Sequence, residues 1–146
     1  MQESYHFIGI GGIGMSALAR IAHSQGFQVS GSDRKPSVLL DQLSQEGICV
    51  RIGHSLEAIP KGATVVYTSD LKEDNEEWIG AKKQGLKILH RSDFLDLLLS
   101  KKKPLLVTGT HGKTTTTALL AWTLKEACLD PSFVVGGILR SLGTNG

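Results

Sequence analysis

Apolar positions along the first hundred residues follow two alternating spacings. Short runs rich in apolar and β-branched side chains end at glycine or polar residues, as buried strands do. They predict strands at residues 5–10, 27–32, 48–52, 63–68 and 87–90. Between these runs, apolar residues recur every three to four positions, as on one face of a helix. This spacing predicts helices at residues 15–25, 38–45, 76–84 and 92–99, with Ser92 as a cap for the last. Alternating strands and helices favour an α/β fold with a parallel sheet covered on both faces.

The alternation is interrupted at residues 101–104, which read Lys-Lys-Lys-Pro, and then begins again. The elements predicted after the interruption are a strand, a helix and a strand, at residues 105–108, 114–128 and 132–135. We therefore expect one domain at residues 1–103 and the beginning of another at 104–146. Because so short a second segment cannot enclose a core of its own, we expect the chain to be part of a longer protein.

The first glycine-rich loop, at residues 9–14, reads Gly-Ile-Gly-Gly-Ile-Gly and fits the pattern G-x-G-x-x-G. It lies directly after a predicted strand and opens a predicted helix. Glycines there let the backbone turn tightly and approach a diphosphate, and the helix N-terminus offers free N–H groups. The context therefore predicts a phosphate-binding loop.

An acidic residue stands where a dinucleotide-binding fold would hold a ribose. Asp33 ends the second predicted strand, and Ser32 precedes it. Taken alone, the loop and this acid suggest an NAD(P)-binding Rossmann domain. A turn or a helix cap at Ser32 and Asp33 is the alternative interpretation.

A second glycine-rich loop follows the predicted strand at 105–108. Residues 109–115 read Gly-Thr-His-Gly-Lys-Thr-Thr, close to the P-loop pattern G-x-x-x-x-G-K-[ST] except that Val107 stands at the first glycine position. Lys113 would place its charge at the β- and γ-phosphates and act catalytically, and the Thr114 hydroxyl would bind Mg²⁺. We predict an ATP site at Gly109, Thr110, His111, Gly112, Lys113, Thr114 and Thr115. An oxidoreductase has no evident need for such a loop, whereas a ligase that activates a phosphorylated substrate needs both loops.

Composition argues against several classes of partner. The net charge of +2 is too small to favour nucleic acid. The longest stretch without Asp, Glu, Lys or Arg, residues 4–19, is too short and too rich in glycine to cross a membrane. Cys49 and Cys128 are isolated and flanked by apolar residues, so we expect buried thiols rather than a disulfide or a zinc site. With no secretion signal at the start, we expect a cytoplasmic protein.

Taken together, residues 7–16, 31–33, 90–91 and 108–117 resemble the Mur ligases of peptidoglycan synthesis. The resemblance covers essentially the whole chain. It implies a Rossmann-like parallel-sheet domain that binds UDP-muramate, followed by the start of a P-loop ATPase-type central domain. The rest of the central domain and a C-terminal domain would complete the enzyme. Two departures from the family pattern, 68–70 (Thr-Ser-Asp) and Glu76, lie at the rim of this expected site.

The resemblance implies a reaction and a set of contacts. ATP and Mg²⁺ would activate UDP-N-acetylmuramate as an acyl phosphate, which the amine of L-alanine then attacks. The relative that recycles murein tripeptide is the alternative within the family, and a stand-alone nucleotide sensor is one outside it. The chain alone is expected to bind the UDP-substrate without turnover. The expected UDP-substrate contacts are Gly9, Gly11, Gly12, Ile13, Gly14, Met15, Ser32, Asp33, His54, Ser69 and Arg91. A surface role for His54 and an ion pair for Arg91 remain open alternatives.

Overall fold

The computed structural model describes residues 3–100, 102–139 and 144–146. Its strands are β1 Ser4–Ile8, β2 Gln28–Asp33, β3 Cys49–Ile52, β4 Thr64–Tyr67 and β5 Ile88–His90. Its helices are α1 Ile13–Ser24, α2 Val38–Gln45, α3 Glu76–Lys83, α4 Arg91–Leu99 and α5 Lys113–Glu126, with a 3₁₀ turn at Leu56–Ala58. The five strands form one parallel sheet in the order β3-β2-β1-β4-β5. The predicted Rossmann-like α/β fold is confirmed.

The strand order reverses at the centre of the sheet. From β1 the chain moves outward through β2 to β3, then crosses back to β4 and β5 on the other side of β1. Ile8 pairs with Ser32, and Phe7 pairs with Val66, so the carboxyl ends of the three central strands lie close together. Ligands of open α/β sheets bind in the crevice at such a reversal.

Apolar side chains alternate across the two faces of β1, because successive residues of a strand point to opposite faces. Tyr5 and Phe7 belong to the larger core cluster, which also includes residues of α1, α2 and α4. Phe94 of α4 makes edge-to-face contacts with both rings, at centroid distances of 4.8 and 5.3 Å. Ile8 points the other way, into a smaller cluster with Val65 and with Ala81 of α3. Both faces of the sheet are therefore covered, as predicted.

The two strands predicted after residue 104 are not formed. Residues 105–108 and 132–135 pair with no strand, and the described residues there contain one isolated bridge, between Leu139 and Thr144. Leu105 and Leu106 are 66% and 77% exposed. A strand exists only where a neighbour completes its hydrogen bonds. The apolar pattern predicted strands here, but the described residues supply no partner for either.

Several smaller predictions are also corrected. β1 ends at Ile8 because Gly9, at φ +79°, turns the backbone out of the sheet. The cap of α4 is His90, whose side chain accepts from the Ser92 N–H, rather than Ser92 itself. Cys49 lies exposed on the edge strand β3, and Cys128 lies exposed after α5, so neither thiol is buried. No helix among the described residues has the length and apolar character to cross a bilayer.

Candidate functional site

The first glycine loop is tied to the neighbouring strand by backbone hydrogen bonds. The N–H groups of Gly9 and Ile10 both donate to the carbonyl oxygen of Ser32, at 2.8 and 3.0 Å. Gly12 donates to the Gly9 carbonyl and is the N-cap of α1, where it provides no side-chain cap. The first N–H groups of α1 are therefore left without a capping side chain, which is the arrangement that binds anions at helix N-termini.

Asp33 holds the middle of this loop. Its Oδ2 accepts from the Gly11 N–H at 2.9 Å. A Cβ added to Gly11 would lie 2.8 Å from that oxygen and 3.3 Å from Leu40 Cδ2. A larger residue at position 11 would displace this carboxylate, because it approaches so closely. The acid predicted to contact a ribose thus also orders the loop.

Arg91, the first residue of α4, lies beside the start of α1. A Cβ on Gly14 would be 3.2 Å from Arg91 Nη1. Arg91 is exposed, and no acidic side chain among the described residues forms an ion pair with it. The guanidinium therefore adds an unpaired positive charge next to the uncapped helix N-terminus.

Two other predicted contacts at the start of α1 differ in accessibility. Ile13 is 44% exposed, whereas Met15 is 2% exposed and packs in the larger core cluster. The Met15 side chain cannot reach a ligand, so only its backbone N–H is left for the predicted role.

A buried polar cluster lies where β2 and β3 end. Ser32 and Glu77 are both fully buried, and Ser32 Oγ donates to Glu77 Oε2 at 2.5 Å. His54 Nδ1 lies 2.9 Å from Ser32 Oγ and 3.4 Å from Glu77 Oε2. The Ser55 N–H donates to Glu77 Oε1 at 3.3 Å. Two residues predicted separately, Ser32 and His54, are thus joined through one carboxylate.

Glu77 was not predicted from the sequence. An acid in the first turn of a helix is ordinary, and α3 begins only one residue earlier, at Glu76. The available signal was a pair of polar residues in buried strands, His6 and Ser30, which lie 2.9 Å apart on this side of the sheet. Burial by itself raises the pKa of Glu77, but contacts from His6, Ser32 and Ser55 outweigh it and hold the pKa below its ordinary value. His6 Nε2 is buried without a hydrogen bond, 3.6 Å from Glu77 Oε2.

Ser69 follows β4 and contacts the end of β5. Its Oγ lies 2.9 Å from His90 Nε2, while His90 Nδ1 lies 2.7 Å from Ser92 Oγ. Ser69 is exposed and His90 is half-buried. His90 is therefore a second polar residue at this sheet edge that was not predicted as a site residue.

The second glycine loop opens α5, and its residues are exposed. Gly112, at φ +78°, is the N-cap of the helix, and Gly109 has φ +150°. Lys113 Nζ donates to the carbonyl oxygens of Gly109 and Thr110, at 2.5 and 3.3 Å. A Cβ on Gly136 would lie 3.6 Å from Thr114 Oγ1, so the 136–137 turn lies against the predicted metal ligand. In the described part of the chain, no group of three or more His, Cys, Asp or Glu residues could hold a metal ion.

Asn145, which follows the second loop in sequence, packs against α1, the helix that the first loop opens. Asn145 is fully buried, and its Nδ2 donates to the Ile13 carbonyl at 2.5 Å and to Ser16 Oγ at 3.0 Å. Arg20, which is paired with Glu46 at 2.8 Å, donates to Asn145 Oδ1. A polar residue far along the chain is thus held against α1, and nothing in its local sequence predicted this.

Comparisons with known proteins show the family of this chain. Residues 4–103 match a family model described as the Mur ligase family, catalytic domain. A UDP-N-acetylmuramate–L-alanine ligase of Protochlamydia amoebophila is 52% identical over 145 residues, which are 99% of this chain and 32% of that relative. A ligase of the same name from Streptomyces coelicolor is 47% identical over 96% of this chain and 30% of its own length. The chain spans about a third of the length of the curated relatives it matches.

Solved structures give the same result. The crystal structure of a UDP-N-acetylmuramate-alanine ligase from Thermotoga maritima has a TM-score of 0.90 and 36% identity, over 97% of this chain and 34% of that one. A UDP-N-acetylmuramate:L-alanyl-gamma-D-glutamyl-meso-diaminopimelate ligase from Neisseria meningitides has a TM-score of 0.89 and 35% identity, over 99% and 46%. Since the family model matches more than half of the residues and the fold agrees throughout, the chain belongs to the Mur ligase family.

Proposed function

We propose that this chain is the part of a UDP-N-acetylmuramate–L-alanine ligase that holds the nucleotide sugar and the phosphates of ATP. The observation that carries the proposal is the start of α1, where an uncapped helix N-terminus and the unpaired Arg91 guanidinium lie side by side. Two positive groups at one point favour a diphosphate over a neutral ligand. The ligases named above, at 47–52% identity, support the choice of substrate.

Most of the predicted contacts have a direct role in this proposal, whereas the Ser32 side chain is fully buried and bonds to Glu77. The backbone N–H groups of residues 13–15 and the Arg91 side chain bind the diphosphate of UDP. Asp33 accepts from the ribose with the carboxylate oxygen that does not bind Gly11. His54 and Ser69, at the ends of β3 and β4, contact the uracil or the sugar. All of these residues lie at the carboxyl edge of the sheet, where ligands of α/β folds bind.

The second loop has the hydrogen-bond donors that a nucleoside triphosphate needs. The Lys113 ammonium, the Thr114 hydroxyl and the N–H groups at the start of α5 belong to exposed residues at one loop. When bound there, Mg²⁺ would supply charge neutralisation at the phosphates. Thr114 is the residue of this chain that would bind it. We propose residues 1–103 as the UDP-muramate domain and 104–146 as the beginning of the ATP domain.

Amide formation explains why one enzyme would need both loops. A carboxylate is a poor acceptor for an amine because its oxygen is a poor leaving group. Phosphorylation of the lactyl carboxylate of UDP-N-acetylmuramate gives an acyl phosphate, and attack by L-alanine releases phosphate. The task of Lys113 is to stabilise charge as the phosphoryl group moves. The amino-acid site and the remaining domains belong to the rest of the cytoplasmic enzyme, so the chain alone binds substrate without turnover.

One experiment tests the substrate of the first loop. UDP-N-acetylmuramate at a hundred times its Kd should stabilise the 146-residue chain by about 2.7 kcal/mol and raise its Tm, whereas NAD should not. Stabilisation by NAD and not by the UDP-sugar would refute the proposal in favour of an NAD(P)-binding domain.

A second candidate is the murein-tripeptide recycling ligase, because the Neisseria structure is almost as similar as the Thermotoga one. Both enzymes would bind a UDP-muramate, so the amine substrate distinguishes them. ATP-dependent phosphate release by the full-length protein should require L-alanine. Release with the tripeptide and none with L-alanine would support the recycling enzyme instead.

A further inference from the structure

The Ser32 hydroxyl stands between a buried carboxylate and an imidazole, and it has one proton to donate. Glu77 Oε2, 2.5 Å away, belongs to a carboxylate that accepts hydrogen bonds and cannot donate them. The serine proton must therefore point to Glu77. His54 Nδ1, 2.9 Å from the same oxygen, then has to be the donor, because two facing lone pairs would repel each other.

We propose that Glu77 is a positioning residue of the nucleotide-sugar site: acting through Ser32, it keeps His54 in the Nδ1–H tautomer and leaves Nε2 as a hydrogen-bond acceptor. None of the described residues hydrogen-bonds His54 Nε2, and the side chain is 19% exposed at the carboxyl end of β3. An acceptor there fits a ligand donor, either the imide N–H of a uracil or a sugar hydroxyl. The choice of ligand rests on the proposed function, whereas the tautomer does not.

The backbone N–H of Ser55 fixes which groups donate in this row of hydrogen bonds. The Ser55 N–H donates to Glu77 Oε1, and a backbone N–H cannot reverse its role. Glu77 is fully buried at the start of α3, where a helix N-terminus favours negative charge. Its lowered pKa is consistent with an ionised carboxylate.

This geometry predicts that E77Q reverses the chain of hydrogen bonds without changing its shape. The Ser55 N–H requires the amide oxygen of the glutamine at the Oε1 position, so the NH₂ group must face Ser32. The NH₂ group then donates to Ser32 Oγ, and the serine proton turns to His54 Nδ1. His54 is thereby converted to the Nε2–H tautomer, which presents a donor to the ligand instead of an acceptor.

The test is the tautomer of His54, measured by long-range ¹H–¹⁵N correlation on the ¹⁵N-histidine-labelled 146-residue chain at neutral pH. We expect a protonated Nδ1 and a bare Nε2 in the wild type, and the reverse in E77Q. S30A is the matched control, because it removes the 2.9 Å contact to His6 in the same region and should leave His54 unchanged. A wild-type His54 with Nε2–H, or with both nitrogens protonated, would overturn the proposal even if E77Q fails to fold.

Binding of UDP-N-acetylmuramate by calorimetry tests the ligand part separately. E77Q should bind about tenfold more weakly than wild type, because an N–H group would face a ligand donor. If the wild type does not bind the UDP-sugar, the proposed function fails while the tautomer result stands. If E77Q reverses the tautomer but binds as tightly as wild type, His54 Nε2 does not contact the ligand and that part is refuted.

Discussion

Replacing Gly11 with alanine tests how the first loop is held. The new Cβ would lie 2.8 Å from Asp33 Oδ2, so the carboxylate must move by several tenths of an ångström. That movement weakens the 2.9 Å bond from the Gly11 N–H, and bonds to charged groups contribute about 1.5–3 kcal/mol. The lower entropy of alanine in the unfolded chain offsets about 0.4–1 kcal/mol of the loss. We expect a net destabilisation of about 1–2 kcal/mol.

A double-mutant cycle isolates the cause. In the background of Asp33→Ala the carboxylate is absent, so Gly11→Ala should no longer destabilise the protein and should keep only the entropic gain of about 0.4–1 kcal/mol. The assay is the free energy of unfolding in urea, followed by circular dichroism. Gly12→Ala is the matched control: its Cβ would meet the Gly9 oxygen at an ordinary 3.4 Å, and we expect only about 0.5 kcal/mol from the poorer helix cap. An equal cost for Gly11→Ala with and without Asp33 would show that the carboxylate does not cause the destabilisation.

Three further predictions concern charged groups. The pKa of Glu77 is lowered in the folded state, so its ionised form stabilises the fold fully above the unfolded value of 4.5, and this stabilisation is lost as the pH falls below it. E77Q should therefore reduce the dependence of the free energy of unfolding on pH in this acidic range. Arg91→Ala should weaken UDP-N-acetylmuramate binding about tenfold by calorimetry, with an unchanged Tm because the side chain is exposed; a large loss of Tm would show a structural role instead. Lys113→Ala in the full-length protein should abolish ATP-dependent phosphate release and leave UDP-sugar affinity unchanged, and retained turnover would contradict the role given to this lysine.

The sequence predicted the first hundred residues well because local and long-range signals agree there. Each strand has a neighbour in the sheet, and each helix buries an apolar face such as the one that carries Phe94. The same kind of pattern failed at 105–108 and 132–135, since pairing depends on a partner strand that the apolar spacing does not reveal.

The sequence also predicted only some of the residues of the candidate site. The glycines, Asp33 and Arg91 meet at one edge because the topology of a parallel sheet gathers its loops there. Glu77 and Asn145 were missed because their importance comes from contacts with residues distant in sequence, such as Ser32 and Arg20. A buried polar side chain is recognisable only when its burial is known.

The two loops differ in the hydrogen bonds and the conformational freedom that they lose when a ligand binds. In the first, the N–H groups of Gly9, Ile10 and Gly11 already bond to β2, so its shape exists before any phosphate arrives. Little conformational entropy remains to be lost there. In the second, Lys113 bonds to the carbonyls of its own loop and must leave them to reach a phosphate. We therefore expect the first loop to be preorganised for its ligand and the second loop to rearrange when its ligand binds.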